Sequence, residues 1–125
     1  MPRKPAADGI SFSFKYWCEN SSKFTPSNGG RRYCHVFLQR LKAIERMTMA
    51  EFLSNRSPAL KAHVIDFNET TEAGFPELPD DVKGHPYQFS ISGNKYGRVH
   101  GVIVGSCFLI IWCDPTHLLY DSRQR

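Results

Sequence analysis

The sequence predicts an α+β fold with an N-terminal strand, followed by two helices that pack on one face of a four- to five-stranded, mainly antiparallel sheet. Polar and apolar residues alternate in the segment 10–17, which is the period of a half-buried strand. Apolar residues recur at helical spacing between positions 31 and 47, a second short helix is predicted directly after them, and four strand-like segments follow. Because the helices precede a run of strands that hairpins can join, the pattern favours α+β over a parallel sheet.

A single domain is predicted over residues 10–125, behind a disordered tail of residues 1–9. The chain of 125 residues has an ordinary single-domain length. Its longest apolar run, Cys107 to Cys113, is too short to cross a bilayer, and the N-terminus lacks the apolar stretch of a secretory signal. We therefore expect a cytoplasmic protein with no membrane partner and with reduced cysteines.

Two helices are predicted between the first and second strands. In the segment RRYCHVFLQRLKAIERM, one apolar stripe is formed by Tyr33, Phe37, Leu41 and Ile44. Thr48 and Glu51 have the spacing of a capping box, in which each side chain satisfies a backbone N–H of the other. A second, short helix therefore begins at Met49, and we expect it to bury Phe52 and Leu53.

The C-terminal segment GRVHGVIVGSCFLIIWCDPTHLLY predicts a hairpin that turns at residues 105–106, where a glycine supplies the positive φ of a tight turn. Counted back from this turn, antiparallel pairing places Arg98 opposite Cys113. Alternation puts Arg98 and His100 on one face of their strand. The partner strand returns past them, so we expect residues 114–117 at the same end of the hairpin.

This gathering of polar side chains suggests RNA cleavage. The 2′-hydroxyl needs a base, the leaving 5′-oxygen an acid and the phosphorane a cation, and histidine titrates in the useful range. The predicted catalytic residues are Arg98, His100, His117 and Tyr120. This chemistry uses no metal or other cofactor. Asp114, which precedes Pro115, also fits an ordinary turn cap.

A basic surface is predicted on the first helix and in the loop before it. The net charge of +4 is compatible with a nucleic-acid partner, and cations on one face can contact phosphates. The predicted RNA-binding residues are Lys23, Arg31, Arg32, Arg40, Lys42 and Arg46. The alternative is a solvated helix face, since helices ordinarily keep their polar side in water.

Two metal sites remain as alternatives to metal-free chemistry. One would combine Cys113 with His100 and His117, and the other would use Asp66, Glu69 and Glu72. Neither set has the ligand spacing of a zinc motif or of an EF-hand loop. The sequence therefore favours no metal.

The order β-α-α followed by strands, together with the C-terminal hairpin, resembles the RelE/ParE-like superfamily of small bacterial toxins. Arg98 matches the strand arginine of that family, CFLIIW its apolar strand, and His117 and Tyr120 its C-terminal pair. The resemblance implies an endoribonuclease toxin of a toxin–antitoxin or phage-defence module, acting on RNA or the ribosome and bound by a cognate antitoxin. The connection 68–86 is longer than is usual in the family, and ParE-like members act on gyrase and lack the ribonuclease residues.

A second function class stays open, a non-catalytic protein-binding inhibitor module from a phage or mobile element. Tyr16, Trp17 and Phe24 supply aromatic groups that could contact a partner protein. An edge strand of the sheet could also pair with a strand of that partner.

Overall fold

The computed structural model describes residues 9–120 except positions 56, 77, 83 and 94. Its strands are β1 (Ser11–Ser13), β2 (His63–Val64), β3 (His85–Ser92), β4 (Lys95–Val104) and β5 (Cys107–Asp114), and its helices are α1 (Tyr33–Glu45) and α2 (Met49–Ser54). Short 3-10 turns occur at Pro26–Gly29 and Phe67–Glu69. The predicted fold class and element order are confirmed. The predicted tail, apart from Gly9, lies outside the described residues.

The five strands form one sheet in the order β1-β5-β4-β3-β2. The pairs β2–β3, β3–β4 and β4–β5 are antiparallel, whereas β1 runs parallel to β5. The hairpin β4–β5 turns at Gly105-Ser106, as predicted. Because β4 is the central strand, its side chains have neighbours on both sides.

The two helices cover one face of this sheet. The stripe predicted on α1 is the set of residues that α1 buries, namely Tyr33, Phe37, Leu41 and Ile44. Thr48 and Glu51 form the predicted capping box. Phe52 is fully buried, but Leu53 is 39% exposed, so the prediction that both are buried was wrong for Leu53. Adjacent residues point about 100° apart on a helix, and so short a helix buries only one side.

The first strand is shorter than its alternating sequence predicted. Ile10 is buried and Phe12 packs against the core, in agreement with the pattern. Pairing with β5 stops at Ser13, and Phe14 is 50% exposed. The chain turns there, since the N–H of Trp17 donates to the carbonyl of Phe14. The alternating pattern of polar and apolar residues therefore extends past Ser13, the last residue of β1 that pairs with β5.

The two faces of the sheet carry different chemistry. On the helix side, Phe89, Val99 and Cys113 belong to the main apolar core. Each of these residues has a polar or aromatic neighbour in sequence on the same strand. Those neighbours are Gln88, His100 and Trp112, and because adjacent strand residues alternate, they point to the opposite face. That face is partly covered by a smaller apolar cluster, whose members include Phe24, Ile65, Val102, Ile111, Trp112 and Leu119.

A β-bulge in β5 changes the register of the hairpin. The pairing begins as predicted, with Val104 opposite Cys107, but it shifts by one residue between His100 and Gly101. Arg98 is consequently opposite Asp114 rather than Cys113 as predicted. An extra residue on one strand produces such a shift and reverses which side chains share a face. The bulge thus brings Asp114 to the face that carries Arg98.

Gly101 allows the close approach of strands at this bulge. A Cβ atom at position 101 would overlap the carbonyl oxygen of Leu109 and the ring of Phe108. The strands can approach this closely only because glycine has no side chain.

We expect Gly101→Ala to destabilise the protein by about 2–3 kcal/mol, because overpacking against a backbone atom cannot be relieved by a rotamer change. Gly74→Ala is the matched control, since a Cβ at position 74 has no atom within 4 Å. Urea unfolding of both variants measures the difference. Equal stabilities would contradict the close approach at Gly101.

Candidate functional site

An open cavity of about 750 Å³, which we call the central pocket, lies on the sheet face opposite the helices. Its basic and imidazole side chains are Lys61, His63, Arg98, His100 and His117. Its carboxylates are Asp66, Glu69 and Asp114, and Val64, Gln88 and Tyr120 complete the lining. All four predicted catalytic residues therefore line one cavity.

The pocket floor is a row of side chains from neighbouring strands. His63 of β2 pairs with Gln88 of β3, which pairs with His100 of β4. Residues paired directly across strands lie on the same face with Cβ atoms about 5 Å apart. Arg98 and Asp114 form the next paired position along the sheet. Strand pairing thus assembles the pocket from residues that are distant in sequence.

His100 and Asp114 form a buried pair beneath the pocket. Nε2 of His100 lies 3.2 Å from Oδ2 of Asp114, and the two side chains are 0% and 1% exposed. The rings of Phe24 and Trp112 each make a T-shaped contact with the ring of His100, at centroid distances of 6.3 Å. Full burial excludes bulk water from the imidazole of His100 in this conformation.

Asp114 also holds the segment that follows β5. Its Oδ1 accepts the N–H of Leu118 at 2.7 Å, and its Oδ2 accepts the N–H of Leu119 at 2.9 Å. The turn-cap interpretation of Asp114 is therefore confirmed. His117 lies within this turn at φ 59°, a left-handed conformation that is unfavourable for a side-chain-bearing residue. The carboxylate stabilises the turn that sets the position of His117.

The electrostatics of the pair favour an ionised aspartate beside a neutral histidine. Burial lowers the pKa of His100 and outweighs the opposite effect of the Asp114 carboxylate. Burial by itself would raise the pKa of Asp114, but the hydrogen bonds from His100, Leu118 and Leu119 together lower it. A neutral imidazole must donate its Nε2–H to the carboxylate, which leaves Nδ1 as an acceptor.

Tyr120 is fixed at the pocket wall by the long connection that follows β2. The N–H of Thr71 donates to the carbonyl of Leu119 at 2.7 Å, and Thr70 bridges to Tyr120. Burial raises the pKa of Tyr120, and a hydrogen bond with the backbone of Asp66 opposes this rise. The phenol therefore remains protonated at neutral pH and can donate a hydrogen bond.

His63 and Gln88 are in direct contact. Nδ1 of His63 lies 2.9 Å from the carbonyl oxygen of Val64, which can only accept, so this nitrogen carries the proton. When His63 is neutral, its Nε2 accepts from the amide Nε2 of Gln88 at 2.7 Å. The amide oxygen of Gln88 is then not the atom that faces His63.

Arg98 is held at the other end of this face. One of its terminal nitrogens donates to the carbonyl of Gly93 at 2.9 Å and to that of Gly97 at 3.3 Å. These bonds come from one side of the guanidinium and orient its plane. The arginine therefore reaches the pocket from a fixed position.

The six predicted RNA-binding residues do not form one surface. Arg31, Arg32, Lys42 and Arg46 are exposed on and beside α1. Lys23 instead forms an ion pair with Glu72 at 2.8 Å. The guanidinium of Arg40 donates to the carbonyls of Ile91 and Ala59, and burial lowers its pKa. Because α1 packs on the helix side of the sheet, its four exposed cations lie on the side away from the pocket.

Three polar residues of the pocket were missed by the sequence analysis, namely Lys61, His63 and Gln88. The segment LKAHVIDF is apolar enough for a full strand, but only His63–Val64 pairs with β3. Gln88 alternates with the apolar residues Tyr87 and Phe89 along β3, and the structure buries it. A polar residue flanked by apolar neighbours on a central strand was the available signal.

The sheet contradicts the mixed Cys/His metal site. Cys113 lies in the helix-side core, on the face opposite His100, and burial raises the pKa of its thiol to about 12. Within the described residues, no group of three or more His, Cys, Asp or Glu side chains could hold a metal ion.

We expect the stability of the protein to fall as the pH drops below about 6.5, the ordinary pKa of histidine. Because folding lowers the pKa of His100, the unfolded chain takes up the proton at a higher pH than the folded protein does. The free energy of unfolding therefore falls by at most about 1.4 kcal/mol per pH unit. His100→Gln, which retains an N–H for Asp114, removes this dependence. Free energies of unfolding at pH 7.5 and 5.5 measure it.

His35→Gln is the control for this measurement, because His35 is exposed on α1. The His35→Gln variant should show the same change in free energy of unfolding between pH 7.5 and 5.5 as the wild type. An identical pH dependence in the His100→Gln variant would show that His100 is not the titrating group.

Within the part of the chain that the structure describes, neither helix is long and apolar enough to cross a bilayer. Comparisons of the chain with protein-family models, with curated proteins and with solved structures returned no match. Function is therefore inferred from the residues of the central pocket and their geometry.

Proposed function

We propose that this protein is a metal-independent endoribonuclease, acting as a toxin of the RelE type, and that the central pocket is its active site. The observation that carries the proposal is the composition of that pocket. Imidazoles, a phenol and two cationic side chains, those of Lys61 and Arg98, line one open cavity. These groups supply the base, the acid and the charge stabilisation that RNA transesterification needs.

The reaction is an attack of the 2′-oxygen on the adjacent phosphorus. An imidazole takes the 2′-hydroxyl proton, the new O2′–P bond forms, and the P–O5′ bond breaks. A second, protonated imidazole gives a proton to the leaving 5′-oxygen. The products are a 2′,3′-cyclic phosphate and a 5′-hydroxyl, and no water or redox partner is consumed.

His63 and His117 are the candidates for the acid and the base. His63 is exposed and His117 is partly exposed, so both can reach a substrate in the pocket. Arg98 and Lys61 would stabilise the charge of the phosphorane. Tyr120, protonated and held by the backbone of residues 70–71, would donate to a phosphate oxygen.

His100 takes a different role in this proposal from the one that the sequence analysis gave it. A fully buried imidazole is badly placed to exchange a proton with the substrate. It donates to Asp114, whose carboxylate holds the turn that carries His117. His100 is thus a positioning residue that acts through Asp114.

The exposed cations of α1 would bind a different part of the RNA. Arg31, Arg32, Lys42 and Arg46 have no ion pair among the described residues, so they are available to phosphates. Their side of the sheet faces away from the pocket. They would increase affinity without contacting the phosphate that is cleaved.

We expect His117→Ala and Arg98→Ala each to reduce RNA cleavage at least about 100-fold, since each removes a group that acts in the transition state. The assay incubates purified protein with labelled RNA, with and without ribosomes, in the presence of EDTA. Cleavage should persist in EDTA and leave 2′,3′-cyclic phosphate ends. Expression of the wild type, but not of these variants, should arrest growth.

His35→Ala on α1 is the matched control and should cleave like the wild type. Intact RNA under every condition would refute the proposed activity. Growth arrest by the wild type without any cleavage would favour the protein-binding alternative, and in that case the pocket variants should remain toxic.

We expect Arg32→Gln and Arg46→Gln each to weaken RNA binding and to reduce the slope of log affinity against log salt by about 0.7. Arg40→Gln should instead lower the free energy of unfolding by about 1–2 kcal/mol, because its guanidinium holds two carbonyls. Fluorescence anisotropy across a salt series and urea unfolding separate the two effects. An unchanged salt slope would exclude α1 from the RNA interface.

A further inference from the structure

Two residues of the central pocket have a left-handed backbone. Among the described residues other than glycine, φ is positive at Lys61 (47°), Tyr96 (64°) and His117 (59°). Lys61 and His117 line the pocket, whereas Tyr96 does not. This conformation costs a residue with a Cβ atom free energy, so it persists only where the surrounding structure enforces it. Such strain concentrates at functional sites, and the contacts that enforce it at Lys61 can be traced.

The two neighbours of Lys61 fix its backbone from the apolar core. Leu60 and Ala62 are 1% and 5% exposed, and both belong to the main core on the helix side of the sheet. Lys61 lies between them and lines the pocket on the opposite side. Its own N–H donates to the carbonyl of Ser57 at 2.9 Å. Because both neighbours are buried, the backbone of Lys61 cannot rotate without removing one of them from the core.

The residues before Lys61 are bound to the edge of β3, where β2 provides no partner. β2 pairs with β3 at only two positions. Further along β3, the N–H of Ser90 donates to the carbonyl of Leu60 at 2.6 Å. Just beyond the strand, the N–H of Gly93 donates to the carbonyl of Ala59 at 2.9 Å. These two carbonyls replace an edge strand, and Lys61 follows directly after them.

Arg40 of α1 ties this segment to the sheet. Its Nε donates to the carbonyl of Ile91 at 2.7 Å, and its Nη2 donates to the carbonyl of Ala59 at 3.2 Å. The guanidinium is planar, so its two donors hold both carbonyls in a fixed geometry. Arg40 therefore restrains the segment that ends at Lys61, although Arg40 itself does not line the pocket.

Lys61 and Arg98 lie on either side of β3. The carbonyl of Leu60, next to Lys61, accepts from Ser90, and Ser90 is paired with Arg98 on β4. Neighbouring strands are about 4.8 Å apart, so the backbones that carry the two cations are about 10 Å apart. Both side chains line the pocket and are long enough to contact one phosphate between them. Fixing the lysine in advance reduces the entropy that is lost when such an anion binds.

We propose that Lys61 binds the phosphate that is cleaved, that its strained backbone is kept for this role, and that Arg40 is the residue that positions it. This inference rests on the proposed ribonuclease function, which it extends to the group that holds one of the two cations in place. Arg40 acts through the segment 59–61 and does not touch the RNA at the pocket.

Two variants of Lys61 separate its charge from its strain. Lys61→Ala removes the ammonium group but keeps a Cβ atom, and Lys61→Gly removes both. Each should weaken binding of the dinucleotide d(ApA) about tenfold. This probe carries a single phosphodiester and lacks the 2′-hydroxyl, so it is not cleaved. Lys61→Gly should unfold at a urea concentration about 0.5 M above that of Lys61→Ala, because glycine relieves the left-handed strain.

Lys15→Ala is the matched control and should bind the dinucleotide like the wild type, since Lys15 is exposed in the turn after β1. Chemical-shift titration measures the affinities, and urea unfolding measures the stabilities. Undiminished binding by both Lys61 variants, or no binding by the wild type, would overturn the phosphate subsite. Equal urea midpoints of the two variants would overturn the strain at Lys61.

A double-mutant cycle tests the role of Arg40. Arg40→Gln should weaken dinucleotide binding about threefold when Lys61 is present and not at all in the Lys61→Ala background, because it acts only through the lysine. Thermal unfolding establishes that each protein is folded at the temperature of the titration. An equal loss in both backgrounds, or no loss in either, would refute the positioning role.

RNA cleavage by the same proteins separates the phosphate subsite from the proposed function. If the wild type cleaves RNA and both Lys61 variants cleave it equally well, the subsite is overturned and the proposed function stands. If dinucleotide binding follows the expected pattern but the wild type leaves RNA intact, the proposed function is overturned and the subsite stands.

Discussion

The carboxylate of Asp114 is the group on which the organisation of the pocket depends. Its two oxygens accept from the ring of His100 and from the backbone of Leu118 and Leu119, so one side chain joins β4 to the segment after β5. Hydrogen bonds to an ionised carboxylate are stronger than those between neutral groups. In a buried setting they fix the turn at His117 against its own backbone preference.

Local sequence patterns were sufficient to predict much of the fold. The stripe on α1 depends on residues three or four positions apart, and the capping box of α2 depends on Thr48 and Glu51 alone. The hairpin turn at residues 105–106 likewise needs only its glycine and the strands beside it. In each case the contacts that decide the structure lie within one helix turn or one hairpin.

The rest of the site depends on long-range pairing, which single residues do not specify. The bulge in β5 moved Asp114 to the face of Arg98, and its only sequence signal was Gly101 inside an apolar strand. His63 reached the pocket through two residues of pairing at a sheet edge. Lys23 was predicted from its charge, yet its partner Glu72 is 49 positions away.

The separation of the α1 cations from the pocket has a consequence for the size of a substrate. A helix is about 10 Å across and packs about 10 Å from the sheet. An RNA strand that contacts both the α1 cations and the central pocket must therefore pass around an edge of the domain. For the proposed ribonuclease, a dinucleotide could occupy the pocket but could not span this path. Turnover of short oligonucleotides would then be limited by weak capture, whereas a large folded RNA could anchor on one side while a loop enters the other.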